Sequence, residues 1–151
     1  MTVNAQDHPA SAAAGAARLL EEAWANASDP LRAEVVRELA RSLGEEIEAL
    51  AGLVSEAAPA DARFEAALRA ADVANLAASS LADLSDEDVP RAVAAACLAA
   101  GAARALVALA EAEASRLDGD HARYALKDAR SAAWRARFAL RQTDEFLGIE
   151  A

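Results

Sequence analysis

Cysteine, lysine, histidine and the aromatics are all scarce in this chain of 151 residues, and the scarcity of cysteine and histidine removes whole classes of answer. The one cysteine, Cys97, excludes an intrachain disulfide framework. Its setting in "AAACLAA" reads as that of a small buried hydrophobe rather than a nucleophile. Neither of the two histidines, His8 and His121, has a glutamate three residues before it, so the paired Glu-x-x-His pattern of a carboxylate-bridged di-iron bundle is missing. His121 closes a "DGDH" tetrad, but that tetrad stands where one helix must end and the next be capped, and it reads as a turn. The sequence holds no phosphate-binding glycine loop with its lysine, no Gly-x-Gly-x-x-Gly fingerprint and no Gly-x-Ser-x-Gly elbow. No metal and no cofactor is expected, and the reading leans away from an enzyme.

Basic residues are absent before Arg18, so the N-terminus has neither the charged start of a secretory signal nor the arginines of a transit peptide, and the reading is cytoplasmic. β-branched residues are few and scattered, which leaves no run suited to a sheet.

Alanine is what fills the chain, at 47 of 151 positions, and because it loses no side-chain entropy on entering a helix it favours helix throughout. Residues 1 to 10 are polar and unpatterned and read as a flexible tail, with one helical domain over 11 to 151. Five helices are expected, at about 11 to 27, 30 to 57, 61 to 84, 88 to 117 and 121 to 146. The boundaries are chemical. Asp29 can cap the second helix with Pro30 at its first position, Ser85 and Asp88 are spaced as a capping pair, and Gly119 with Asp120 suits a helix end followed by a cap. The fold class is all-α, an up-and-down antiparallel bundle of four long helices plus a shorter N-terminal one, because short connections make successive helices antiparallel neighbours.

Two helices show their packing side in their spacing. Leu31, Val35, Leu39, Leu43, Ile47, Leu50 and Val54 make one apolar stripe on the second, and Phe64, Leu68, Val73, Leu76, Leu81 and Leu84 supply the third. The fourth holds "AVAAACLAAGAARALVALA", nineteen residues with Arg104 as the only charge. Its length approaches a membrane span, yet so much alanine and an arginine past its midpoint fit the central helix of a bundle better, and no membrane span is expected.

A faint similarity to cyclodeaminase-type folate-linked enzymes runs through "HPASAAAGAARLL" and "VPRAVAAACLAA", but the glycine-rich run of that family is missing here and no residue role is carried over.

Candidate sites come from charge. The chain carries a net charge of −10, which disfavours nucleic acid and anionic membrane, but the stretch "ARYALKDARSAAWRARFALR" (122 to 141) holds six basic residues and one acid. At 100° per residue, Arg123, Lys127, Arg130, Arg137 and Arg141 fall within about 80° of one another, with Trp134 among them and Phe138 and Tyr124 at the margin. The second helix answers with Glu34, Glu38, Glu45 and Glu48, an acidic stripe interrupted by Arg41. Three readings stay open: two solvated faces, pairing of the stripes within the chain or across a homodimer, or an external anion, acidic protein or single-stranded nucleic acid on the basic face. A second candidate site follows from the cost of burying an arginine in the apolar fourth helix. Helix register brings Asp72 and Trp134 near Arg104, with Asn75 extending a polar seam that is either structural or a pocket for a small anionic ligand. The chain is thus expected to be a non-catalytic interaction or scaffold protein, with ligand binding between helices three, four and five as the alternative.

Overall fold

The computed structural model describes residues 8–54, 59–114 and 120–149. Among the described residues its elements are five helices, α1 (His8–Ala23), α2 (Pro30–Val54), α3 (Pro59–Ser80), α4 (Val89–Ala114) and α5 (Asp120–Leu147), with a 3₁₀ turn at Leu81–Asp83. No strand occurs among the described residues. α1 starts at His8, three residues ahead of the expected boundary, so residues 8 to 10 are helical rather than tail; residues 1 to 7 lie outside the described residues.

The start of α2 follows the anticipated chemistry, whereas α1 ends at Ala23, short of the expected 27, and α3 gives way at Ser80 to the 3₁₀ turn. Asp29 accepts a hydrogen bond from the Arg32 N–H through Oδ1 at 3.2 Å, and Pro30 opens α2. Ser85 Oγ donates to Asp88 Oδ2 at 3.0 Å in the turn that leads into α4. Gly119 lies outside the described residues. α5 ends in a closure that composition did not suggest: Gly148 adopts φ +73°, its N–H bonds the Glu145 carbonyl at 3.2 Å, and the Ile149 N–H bonds the Asp144 carbonyl at 2.9 Å. That pair of bonds around a left-handed glycine is a Schellman stop.

α3 and α4 pack on each other along their length and form the middle of the molecule. α1 packs on α4 and α2, α2 packs on α1 and α3, and α5 packs on α3 and α4. Because α1 and α5 each lie along the α3–α4 pair but do not pack on one another, they flank it from opposite sides, and α2 rides on the α1 side.

The core is built almost wholly of methyl groups. Of 38 buried hydrophobic residues among those described, 28 are alanine, so the helices approach closely and few large side chains interlock. Gly44 marks a close approach, since a Cβ there would sit 3.2 Å from the Ala17 Cβ where α1 packs on α2. The largest buried side chain is Trp24, 1% exposed at the end of α1. Its Nε1–H donates to Ser80 Oγ at 3.0 Å, and the Ser80 hydroxyl donates onward to the Leu76 carbonyl at 2.7 Å. One buried indole and one buried hydroxyl thereby satisfy each other, which is what burial of either demands.

Three sequence expectations fail on the surface. The second-helix stripe splits: Ile47 is buried and Leu43 and Leu50 are partly so, but Leu31, Val35 and Leu39 face solvent, Leu31 with 78% exposure. Cys97 is exposed, not a buried hydrophobe. α4 is not enclosed all round either. It buries Ala92, Ala95, Ala96, Ala99, Ala103, Leu106 and Ala110, while Cys97, Leu98, Gly101, Arg104 and Ala108 stay open to solvent. Val89–Glu113 is long and apolar enough to cross a membrane by length and composition, with half of that window buried against the other helices. For Cys97 and the open side of α4 the reason is composition. Alanine is small enough to pack on any side, so a helix rich in it shows no single packing face in its sequence.

Trp24 should dominate stability and be optically distinct from Trp134. Trp24→Ala is expected to cost about 3–5 kcal/mol and Ser80→Ala about 1 kcal/mol in urea unfolding. A Trp134→Phe variant should keep a blue-shifted emission that iodide barely quenches; strong quenching in that variant would contradict the buried indole.

Candidate functional site

The α3–α5 seam forms, but with different members than register suggested. Asp72, halfway along α3, pairs with Arg135 of α5 at 3.3 Å and lies 3.9 Å from Arg69 of its own helix. Asn75, one turn on, donates to the Ala71 carbonyl at 2.9 Å and, more weakly, to the Arg135 carbonyl at 3.5 Å. Arg135 thus meets α3 through its side chain and its backbone. Arg104 does not join them: it is exposed on α4 and forms no ion pair among the described residues. The expected Asp72–Arg104 pair is replaced by Asp72–Arg135, and the buried arginine among the described residues is Arg63, 2% exposed and ion-paired with Glu113 of α4.

Arg135 was visible in the sequence as the exception. It is the one basic residue of the 122 to 141 stretch that falls off the common basic face, about 120° from Arg123 on the wheel, and so turned toward the packed side. Arg63 and Trp24 carried no comparable signal.

Burial sets the acidity of Asp72. Desolvation raises its carboxyl above the ordinary carboxylate value, Arg135 and Arg69 pull it down by less, and Glu46 adds to the rise. Arg69 itself is shared, since it also binds Glu46 of α2 at 2.6 Å.

The basic face of α5 is presented outward. Ala129, Ala132, Ala136, Ala139 and Thr143 are buried beneath the helix, and Lys127, Arg130, Trp134, Arg137, Phe138 and Arg141 are exposed above it. Arg123 lies on the same helix at a position whose side chain is outside the described residues. Trp134 is 66% exposed and stacks on Phe138, ring centroids 5.7 Å apart and planes 17° from parallel. It therefore faces solvent and Phe138 rather than the Asp72 seam. No carboxylate lies within ion-pairing distance of Lys127, Arg130, Arg137 or Arg141 among the described residues. Past Arg141 the helix face continues into an open groove of about 610 Å³ lined by Arg137, Leu140, Arg141, Asp144, Glu145 and the Gly148–Ile149 turn.

The acidic stripe of α2 does not reach this face. Glu48 pairs with Arg18 of α1, Glu46 with Arg69 of α3, and Glu38 lies 4.0 Å from Arg41, which also holds Glu21 of α1 at 3.0 Å. Glu34 and Glu45 have no ion pair, and none joins α2 to α5 among the described residues. Among the described residues the two stripes therefore do not pair within one chain. The described residues hold no group of three or more His, Cys, Asp or Glu able to ligate a metal ion.

Two outcomes test the seam and the buried pair. Because the Asp72 pKa is higher in the folded than in the unfolded chain, its contribution to stability is fully present below the unfolded value and is lost as pH rises through the folded one. The stability of wild type relative to Asp72→Asn should therefore fall with rising pH across that window and then level off; a difference that grows with pH would mean that the arginines outweigh desolvation. Arg63→Met should cost about 3 kcal/mol, the low end for breaking a buried pair because Glu113 keeps a quarter of its side chain exposed. The double variant Arg63→Met with Glu113→Leu should recover most of that loss.

Comparison of the chain with protein-family models, with curated proteins and with solved structures finds no match in any of the three.

Proposed function

We infer that this protein is a non-catalytic interaction or scaffold module, cytoplasmic, whose docking surface is the aromatic and basic face of α5. The supporting observation is the stacked, two-thirds exposed Trp134 beside Phe138, on a face with four cations that have no carboxylate partner among the described residues. Exposed aromatics next to arginine are the residue types that anchor protein interfaces, and here they stand on a helix whose other side is locked into the core. An unpaired guanidinium row favours an acidic partner.

The occupant that fits is an amphipathic helix with an acidic flank, supplied by another protein or by a second copy of this chain. Its apolar row would cover the two rings and its carboxylates would meet Arg137 and Arg141. The bundle serves as the rigid support for that surface, and an up-and-down course of four long helices after a shorter first one would suit the role. The anionic small-molecule reading keeps less support, because Arg104 stands apart from Asp72 and Trp134 faces outward. A net charge of −10 argues against extended nucleic acid as the partner.

The test uses a Trp24→Phe background so that emission reports on Trp134 alone. A synthetic Leu/Glu amphipathic helix should shift that emission to the blue and be displaced by salt, a Leu/Lys counterpart should not, and Arg137→Glu with Arg141→Glu should abolish the response. An equal response to a single-stranded oligonucleotide, or none to the acidic helix, would sink the reading.

A further inference from the structure

Besides Leu98 on α4 and Phe146, Leu147 and Ile149 at the C-terminal end of α5, the exposed large apolar side chains among the described residues form two rows. One is Trp134 and Phe138 on α5; the other is Leu31, Val35 and Leu39 on α2, all three more than half exposed. Each row repeats every four residues, and each has a charged row three residues behind it. On α2 the charges are Glu34 and Glu38, and on α5 they are Arg137 and Arg141. The charged row therefore lies on the same flank of both helices when each is viewed with its chain running upward. Faces of that kind meet acid to base only when the helices run antiparallel, since a parallel approach sets the two charged rows on opposite flanks.

The spacings then agree in detail. Glu34, Glu38 and Glu45 are separated by four and seven residues, and Arg130, Arg137 and Arg141 by seven and four. In one antiparallel register Glu34 comes level with Arg141, Glu38 with Arg137 and Glu45 with Arg130. That register leaves Val35 against Phe138 and Leu39 against Trp134 staggered by about 3 Å, as interdigitating ridges require. Among the described residues Glu34, Glu45 and all three arginines lack ion pairs, and Glu38 has only the long, exposed 4.0 Å contact with Arg41 to give up.

We propose that the α2 face around Val35 and Leu39 of one copy docks antiparallel on the α5 face around Trp134 and Phe138 of a second copy. This rests on the reading of the α5 face as a docking surface and names its occupant. Within one chain the two faces cannot meet, because α2 and α5 lie on opposite sides of the α3–α4 pair. For the same reason a single two-fold axis cannot satisfy both faces. The contact is heterologous, so it continues head to tail into chains or closes into a ring. A scaffold that assembles itself is the consequence.

Sedimentation velocity on the full chain, across a wide concentration range at low and high salt, tests this. The mass is expected to rise past that of a dimer with concentration and to fall as salt screens the charged rows. Glu34→Lys/Glu38→Lys/Glu45→Lys and Arg130→Glu/Arg137→Glu/Arg141→Glu should each weaken association by roughly tenfold or more. Mixed in equal amounts, the two variants should assemble again, since each reversed face finds a reversed partner. Circular dichroism and shielding of Trp24 from iodide check that both variants are folded. A wild type that stays monomeric throughout, or folded variants that fail to recover on mixing, overturns the proposal. If the acidic peptide still shifts Trp134 emission in that case, the α5 reading stands and only the second copy as its occupant is lost.

Discussion

Contact between alanine methyl groups is the constraint on which the rest of this structure depends. Helices that meet through alanine pack close and bury most of the backbone, but each contact covers little apolar area and imposes little shape. Position along the helix axes therefore has to be set by something other than interlocking side chains. Trp24 supplies part of it at the junction of α1 with the end of α3, where its indole N–H finds the Ser80 hydroxyl. The buried pair of Arg63 and Glu113 supplies another part, tying the start of α3 to the end of α4. A third comes from Asp72 with Arg135, which ties α3 to α5. Polar and aromatic groups thus do for register what leucine layers do in a larger-residue bundle.

The same constraint determines the surface. A core made mostly of alanine takes in few large side chains besides Trp24, Phe64 and several Leu, Ile and Val, and Leu31, Val35, Leu39, Trp134 and Phe138 are among those left outside. Scattered singly they would mean little, but they stand in two rows, each with charge of one sign alongside. Ion pairs at the α1–α2 and α2–α3 contacts, Arg18 with Glu48, Arg41 with Glu21 and Arg69 with Glu46, use up carboxylates near the core side of α2. Being exposed, they add little stability each, but they leave the outermost acids of α2 free.

Much of the fold was legible in residue order. Helix propensity, the Asp29–Pro30 start and the Ser85–Asp88 turn are local chemistry, and local chemistry is what a sequence states directly. The outward basic face of α5 was legible as well, because its charges repeat at helical spacing around a helix whose other side is alanine. The candidate pocket was not. Placing Arg104 beside Asp72 required knowing which side of α4 faces α3, and an alanine-rich helix with a glycine at 101 offers no contrast from which to choose.

What the sequence alone determined is therefore the helical class, the breaks between helices and the charge pattern of each exposed face, all of which follow from residues within a few turns of one another. Only the tertiary structure decided that Arg135 rather than Arg104 meets Asp72, that Arg63 and Trp24 are the buried anchors, and that the acidic and basic stripes stand on opposite sides of the α3–α4 pair. Those outcomes depend on how one helix is rotated against another. With methyl groups on nearly every side the local pattern leaves that rotation open, and the few bulky or buried polar groups that settle it act only once distant segments are brought together.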